Sequence, residues 1–384
     1  MNKIVNRTFC LLLCLLLAFA AGGCVLPDSA QEFEGETSSL VTAGSPYKHY
    51  FERLSDKEKM AYNAILAVIS TFPERIEVPV LTHDELNKMY AALLYDNPEL
   101  FFLSSETIMR TLNNRAYLYP DYRMDISDYN AMYSKCSEIA AQIADAARAG
   151  KTAFDRERAV HDRLIASCAY TDDEANIYKG TIYGALCGGE AACEGYAKTA
   201  KLLLDLLDIP CFVVHGNSTP PGSRTQSHMW NAVQLDGEWY YLDLTWDDPV
   251  LEKGGEIISY SYFNVTEEAL RRTHKDFDSD VECTATKNNF FVHENLMFSS
   301  LDEEEMKRAV SSAAQMIDAG SDGFQLCFAD SESFEDAKKA LFEEEKVYAL
   351  LKQIEEKTER SFKTNRVTYF TTDEVNTIEI LLVS

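Results

Sequence analysis

The sequence predicts an α+β protein in which a helix that begins at a cysteine packs on an antiparallel sheet. A helix-rich domain precedes this core and a small α+β domain follows it. Three observations carry the prediction. A long aliphatic helix pattern opens at Cys193. The dipeptide Asp236-Gly237 sits between two runs rich in β-formers, a hairpin signal. The flanks differ from each other, because residues 48–150 are mostly helical in period whereas residues 291–384 alternate strand and helix patterns.

Composition sets the outer bounds. The 384 residues are 46% apolar and 26% charged, enough for two or three domains with sizeable cores. The 62 acids outnumber the 36 bases, for a net charge of -26. Such a chain repels phosphate backbones and anionic lipid surfaces, which argues against nucleic acid as a partner.

Residues 1–23 read as an export signal. Lys3 and Arg7 precede an apolar run from Phe9 to Ala21. That run is too short for a bilayer span, which needs about 20 residues. It ends in Ala21-Gly22-Gly23-Cys24, which resembles the lipobox of bacterial lipoproteins, with Ala21 where Leu is usual. The resemblance implies cleavage before Cys24, lipidation of Cys24, and a lipid anchor on the outer face of the cytoplasmic membrane, or in the outer membrane if the source has one. Removing Lys3 and Arg7 with the leader takes the net charge from -26 to -28. Residues 24–47, rich in Ser, Thr, Gly and Glu, read as a flexible tether.

In the helix-rich domain, residues 48–150, Ser55-x-x-Glu58 and Thr82-x-x-Glu85 have the form of capping boxes. The second helix is expected to stop before Pro98. Leu100 to Leu103 and Ala116 to Tyr119 are strand candidates, and a helix is expected from about Tyr129 to Ala149. In residues 291–384 the expected order is a strand over Phe290 to Phe298, a helix from Glu303 to Ala319, and a strand from Phe324 to Ala329. A helix opened by Ser333 and two closing strands, Val367 to Thr371 and Thr377 to Val383, follow.

Residues 151–290 hold the chemistry. Cys193 stands at the start of its helix, where unpaired N–H groups and the positive dipole end favour a thiolate, as a nucleophile requires. The Asp236-Gly237 turn pairs Leu235 with Glu238 and so sets Asp243 opposite Trp230. His228 and Asp243 then share a sheet face as diagonal neighbours. Cys193 is thus the candidate nucleophile, His228 its base and later acid, and Asp243 the group that orients the imidazole. Trp230 shares that face and is a candidate wall of the substrate slot. The Cys193 backbone N–H is a candidate oxyanion donor, with Tyr183 as a candidate second donor. His161 is expected to be structural, and Asp247 and Asp248 to hold a turn.

Seven cysteines lie beyond Cys24 and none forms a C-x-x-C pair, so no zinc knuckle is indicated. Export permits disulfides, and the spacing leaves their pairing open. Cys187 is a candidate redox partner for Cys193. The proposed chemistry needs no metal and no cofactor.

Four blocks support a family resemblance. They are Tyr183-Gly-Ala-Leu186, Cys193-Glu-Gly-Tyr-Ala197, Ser227-His-Met-Trp-Asn231 and Asp243-Leu-Thr-Trp-Asp-Asp-Pro249. Together with Val160 to Leu164, Tyr262-Phe-Asn-Val265 and His274, they resemble the transglutaminase-like superfamily, relatives of papain-type cysteine proteases. Ser227 stands in place of Gly and Met229 in place of Ala. Tyr95 to Phe102 resembles an extension that precedes such domains in exported bacterial proteins. The resemblance spans about residues 151–285. It implies a papain/transglutaminase-like core and a Cys193-His228-Asp243 triad that forms a thioester. Water would resolve the thioester in a peptidase or amidase, and an amine in a cross-linking transferase. Peptide or protein substrates, including cell-wall peptides, would suit an anchored enzyme. The competing reading is a non-enzymatic binding or scaffold module of the envelope.

Overall fold

Asp236 and Gly237 both take positive φ, 53° and 86°, the type I′ geometry that their sequence calls for. The computed structural model describes residues 46–220, 223–249, 258–278 and 281–382. The expected leader and the tether up to Ser45 lie outside the described residues.

After a single helical turn at His49–Glu52, the N-terminal part has α1, Asp56–Leu66, and α2, His83–Asp96, each opened by a reciprocal capping box at Ser55 and Thr82. A three-stranded antiparallel sheet follows the order β1, β3, β2, with β1 at Ile76–Val78, β2 at Leu103–Leu112 and β3 at Arg115–Tyr122. The first expected strand is displaced. Leu100 and Leu103 instead close turns on Asn97 and Leu100, and Phe101 and Phe102 fill the core as loop residues. The actual strand is largely exposed, so its polar residues hid it from a reading based on apolar runs. Helix α3, Ile126–Ala147, starts earlier than expected because Asp125 caps it by accepting from the Asp128 N–H.

The central part holds α4, Ala153–Ser167, and α5, Cys193–Asp205. Its antiparallel sheet has four strands, β4 at Cys211–Ser218, β5 at Gln226–Leu235, β6 at Glu238–Leu242 and β7 at His274–Lys275. Their spatial order is β6, β5, β4, β7. Tyr196, Ala200, Leu203 and Leu204 of α5 pack with Val233, Leu235 and Leu242 of the sheet. Burying such side chains stabilises the contact by roughly 1.5–3 kcal/mol for each large aliphatic. This cysteine-bearing helix on an antiparallel sheet is an α+β, papain-like arrangement.

The C-terminal part has its own core around Phe298, Ile317, Phe324 and Ile378. Strands β8, Met297–Phe298, β9, Gly323–Phe328, β10, Thr368–Thr372, and β11, Thr377–Leu381, form a sheet in the order β8, β9, β11, β10. Helices α6, Glu303–Asp318, α7, Ser331–Lys338, and α8, Lys346–Glu355, accompany it. Two expectations are corrected. Phe290–His293 is a helical turn capped by Asn289, so only Met297 and Phe298 of that run are strand. Phe290 and Phe291 are apolar because the turn is buried, not because it is extended. The cap of α7 is Asp330, with Ser333 as its reciprocal partner.

Candidate active site

Cys193 is the first residue of α5, and Ala192 before it is extended. The approach is built by Gly189 at φ 71° and by Glu190–Ala191, which pair in parallel with Ala169–Tyr170. Gly195 lets this segment close up. A Cβ there would stand 2.4 Å from the Lys179 carbonyl oxygen and 2.8 Å from the Ala191 Cβ. Asn231 of β5 donates from Nδ2 to the Ala197 carbonyl at 2.9 Å, which pins α5 to the strand that carries His228.

The β5–β6 ladder runs from Leu235↔Glu238 to Asn231↔Leu242 and ends one pair short of Trp230 and Asp243. His228 and Asp243 nevertheless meet, and the His228 Nε2 donates to Asp243 Oδ2 at 2.6 Å. His274 donates from its own Nε2 to the same oxygen at 3.0 Å. Oδ1 accepts from the Thr245 and Trp246 N–H groups at 3.0 and 3.3 Å. A buried carboxylate with four donors is held in its charged form. Burial opposes that charge, but the two imidazoles hold Asp243 far below the usual carboxylate range. Burial likewise opposes charging His228, but the Asp243 charge and hydrogen bond, with a further contribution from Cys193, push the ring up to about 10. With Nε2 committed to Asp243, Nδ1 is the nitrogen left for the thiol.

A second dyad lies behind the first. His161 is completely buried, with Nε2 3.3 Å from Asp247 Oδ2 and Nδ1 2.9 Å from Asp162 Oδ1. Asp247 accepts from the Tyr262 N–H at 2.8 Å, and its own N–H donates to the Asp243 carbonyl at 3.1 Å. The Tyr196 hydroxyl donates to Asp248 Oδ2 at 2.5 Å. Asp247 and Asp248 therefore tie the turn after Asp243 to α4 and α5.

Among the described residues, His228, Asp243 and His274 are the group whose metal-type donor atoms fall within 4.8 Å of one another. The spacing fits hydrogen bonds better than coordination. Two ligands on a tetrahedral zinc stand about 3.4 Å apart, whereas His228 Nε2 is 2.6 Å from its oxygen.

The remaining site expectations fare differently. Trp230 is 1% exposed and packs with Phe212, Val214 and Tyr262, so it cannot wall an open slot. It stacks near His228 with 5.8 Å between ring centroids. The Tyr183 ring packs by Phe101 and Tyr178, half-buried against the N-terminal core. Cys24 lies outside the described residues. Cys187 has its sulfur 3.5 Å from that of Cys136, so its near neighbour is not Cys193. Two residues gained no role from the sequence. Tyr170 is one, since it pairs with Ala191, two residues before Cys193, and burial raises its hydroxyl pKa. His274 is the other. The pairing of Ser218 with His274 and of Gly216 with His228 could have signalled it, since both histidines then fall on one sheet face. Its strand is two residues long, which left little pattern to read.

Residues 138–244 match the family model of the transglutaminase-like superfamily. The chain carries a transglutaminase-like domain. The human kyphoscoliosis peptidase is 25% identical to this chain over 147 residues, 34% of this chain and 22% of that protein. Its mouse counterpart is 31% identical over 77 residues, 18% of this chain and 12% of that protein. The chain thus spans less than a quarter of the length of these relatives. A crystal structure of a TGase aligns with a TM-score of 0.28 at 14% identity, over 47% of this chain and 53% of that one. The transglutaminase-like superfamily contains cysteine peptidases and transglutaminases. Cys193, His228 and Asp243 all lie within the matched span, and His274 lies beyond it.

Proposed function

We propose that this chain is an extracytoplasmic thiol enzyme that transfers or hydrolyses the acyl group of an amide. The observation that carries the reading is the Asp243–His228 bond at 2.6 Å, which orients an imidazole whose other nitrogen serves Cys193. The Cys193 sulfur attacks the amide carbonyl, and the tetrahedral oxyanion forms beside the Cys193 N–H. His228 gives its proton to the departing amine, which leaves a thioester. Water or an amine then adds to the thioester, with His228 taking the proton, and the thiol is released.

A cavity of about 730 Å³ lies beside the segment that leads to Cys193, lined by Tyr170, Cys168 and Asp248 together with Arg158, Asp162 and Tyr260, while Cys193, His228 and Asp243 stand outside its lining. Tyr170 pairs with Ala191, two residues before Cys193, which sets one edge of this cavity near that cysteine. A peptide segment is the substrate class in keeping with this mixed polar and aromatic lining. Cell-wall peptides and surface proteins are the candidates that an exported, lipid-anchored enzyme would meet.

Labelling with iodoacetamide and with an epoxide acyl analogue tests the chemistry. Selective modification that disappears in Cys193→Ala is the expected result. Label spread evenly over the thiols would overturn the enzyme reading in favour of a scaffold. Incorporation of an amine donor into the acylated enzyme then separates transfer from hydrolysis. For the anchor, Cys24→Ser is expected to move the protein from the membrane fraction to the soluble one. Unchanged membrane retention would count against lipidation.

A further inference from the structure

The sulfurs of Cys136 and Cys187 lie 3.5 Å apart, although the two residues are 51 positions apart in sequence. Cys136 sits in α3 and is fully buried in the N-terminal core. Cys187 lies in the turn Gly184–Gly188 and packs on that same core while keeping part of its surface accessible. A disulfide needs about 2.05 Å between sulfurs. The gap is thus a movement of about 1.5 Å, within reach of a side-chain rotation. We propose that Cys136 and Cys187 are a disulfide pair that braces the turn leading to Cys193.

The chemistry balances with a small or protein disulfide as oxidant. The Cys187 thiolate attacks that disulfide and expels one thiolate, giving a mixed disulfide. The Cys136 sulfur, once deprotonated, attacks the Cys187 sulfur and expels the second thiolate. Two protein thiols and one external disulfide become one protein disulfide and two external thiols. The order follows from exposure, since Cys187 is the member of the pair that a reagent can reach. Burial pushes both thiols up, and Cys136 is the fully buried one, so the closing step is the slow one and speeds up at higher pH.

The bridge would have two effects at the site. It would fix the Gly184–Gly188 turn to α3, and that turn continues through Gly189 and Glu190–Ala191 into Cys193. It would also remove a competing thiol. Among the described residues, Cys187 and Cys193 are the cysteines that are not buried. Oxidation would leave Cys193 as the reachable thiol in this region, protected from pairing with its neighbour in sequence. Formation of the bond in the cell rests on the proposed export, whereas its formation in a test tube does not.

The full-length protein, reduced and then equilibrated with oxidised glutathione, is alkylated and digested without reductant. The expected products are a cross-linked peptide pair holding Cys136 and Cys187, with Cys193 recovered alkylated. The oxidised protein should melt on the order of 5 °C above the reduced one. That gain should vanish in Cys187→Ser, a half-exposed position that tolerates the change if Cys136→Ser does not. Recovery of Cys136 and Cys187 as separately alkylated residues, a stable glutathione adduct at Cys187, or a Cys187–Cys193 bond would each overturn the proposal. None of these readouts uses turnover, so an inert Cys193 and an absent bridge are separate results.

Discussion

His274 shares with His228 a single acceptor, the Oδ2 atom of Asp243, which it reaches at 3.0 Å. Its Nδ1 stands 2.8 Å from Thr273 Oγ1, and its ring lies 4.7 Å from that of Trp230 and 4.8 Å from that of Trp246, centroid to centroid. The carboxylate is therefore held from both sides, and its rotation would break one bond or the other. On the proposed function, His274 would position His228 through that shared oxygen. His274→Ala should lower kcat by about tenfold with little change in KM, because the interaction acts on orientation rather than on substrate binding. His274→Gln can donate to the same oxygen and should recover most of the rate. Equal losses in both variants would show that the ring only fills space.

The His228–Asp243 pair has a pH signature. His228 is raised to about 10, against the pull of burial, by Asp243 and by Cys193. Its folded value lies above the unfolded one, so its contribution to stability is complete below about pH 6.5 and is lost as pH rises through about 10. The imidazolium is thus present throughout the neutral range. Alkylation of Cys193 should stay fast near pH 6. His228→Ala should slow it at that pH by tenfold or more on the order of magnitude expected for loss of a paired cation. Asp243→Asn should keep part of the alkylation rate and lose turnover. Unaltered profiles in both variants would sink the triad.

Glu157 offers a test of stability. Burial raises its carboxyl to about 8. Oε2 accepts from Asn264 at 2.7 Å, while Oε1 is a buried atom without a partner among the described residues. A raised folded value means that the acid form favours folding. That contribution is full below about pH 4.3 and is lost as pH climbs through about 8. Glu157→Gln carries no such loss. Melting temperatures at pH 5 and pH 9 should therefore diverge, with the variant gaining a few degrees on the wild type at the higher pH. Parallel curves would show that Glu157 ionises without penalty.

Gly195→Ala pits helix propensity against space. Alanine would favour the helix by roughly 1 kcal/mol. The new Cβ, at 2.4 Å from a backbone oxygen, forces the 179–181 segment away from α5. Overpacking of this kind costs about 1–3 kcal/mol, so the net effect should be destabilising by up to about 2 kcal/mol. Chemical denaturation measures it. A stabilised variant would mean that the loop gives way freely.

The sequence reading went furthest where one local rule determines geometry. Asp236-Gly237 set the turn type, the turn set the register, and the register brought His228 and Asp243 to one face. The capping boxes at Ser55 and Thr82 are equally local, since each satisfies N–H groups within its own first turn. What stayed hidden depends on distant segments. His274 enters the site through a two-residue strand that only β4 orders. The Cys136–Cys187 contact joins a helix to a turn with no spacing rule between them. Trp230 was misread because alternation gives the face of a residue and not whether that face is covered. Phe290 and Phe291 misled for the same reason, as apolar character marks burial for a helical turn as well as for a strand.

Residues 259–262 touch two regions at once. The Ser259 hydroxyl donates to Glu379, and the Tyr260 N–H donates to Gln325 Oε1 at 3.1 Å, both on the C-terminal sheet. Tyr262 donates to Asp247 and accepts from the Asp243 N–H at 3.2 Å. The segment that holds Cys193, His228 and Asp243 is for this reason not portable. A gene fragment ending at residue 290 would strip Ser259, Tyr260 and the Ile258 carbonyl of their buried partners, and the strand of unmet polar groups would begin three residues from the carboxylates' own anchor. In shuffling or fusion experiments the C-terminal sheet must travel with Cys193, His228 and Asp243.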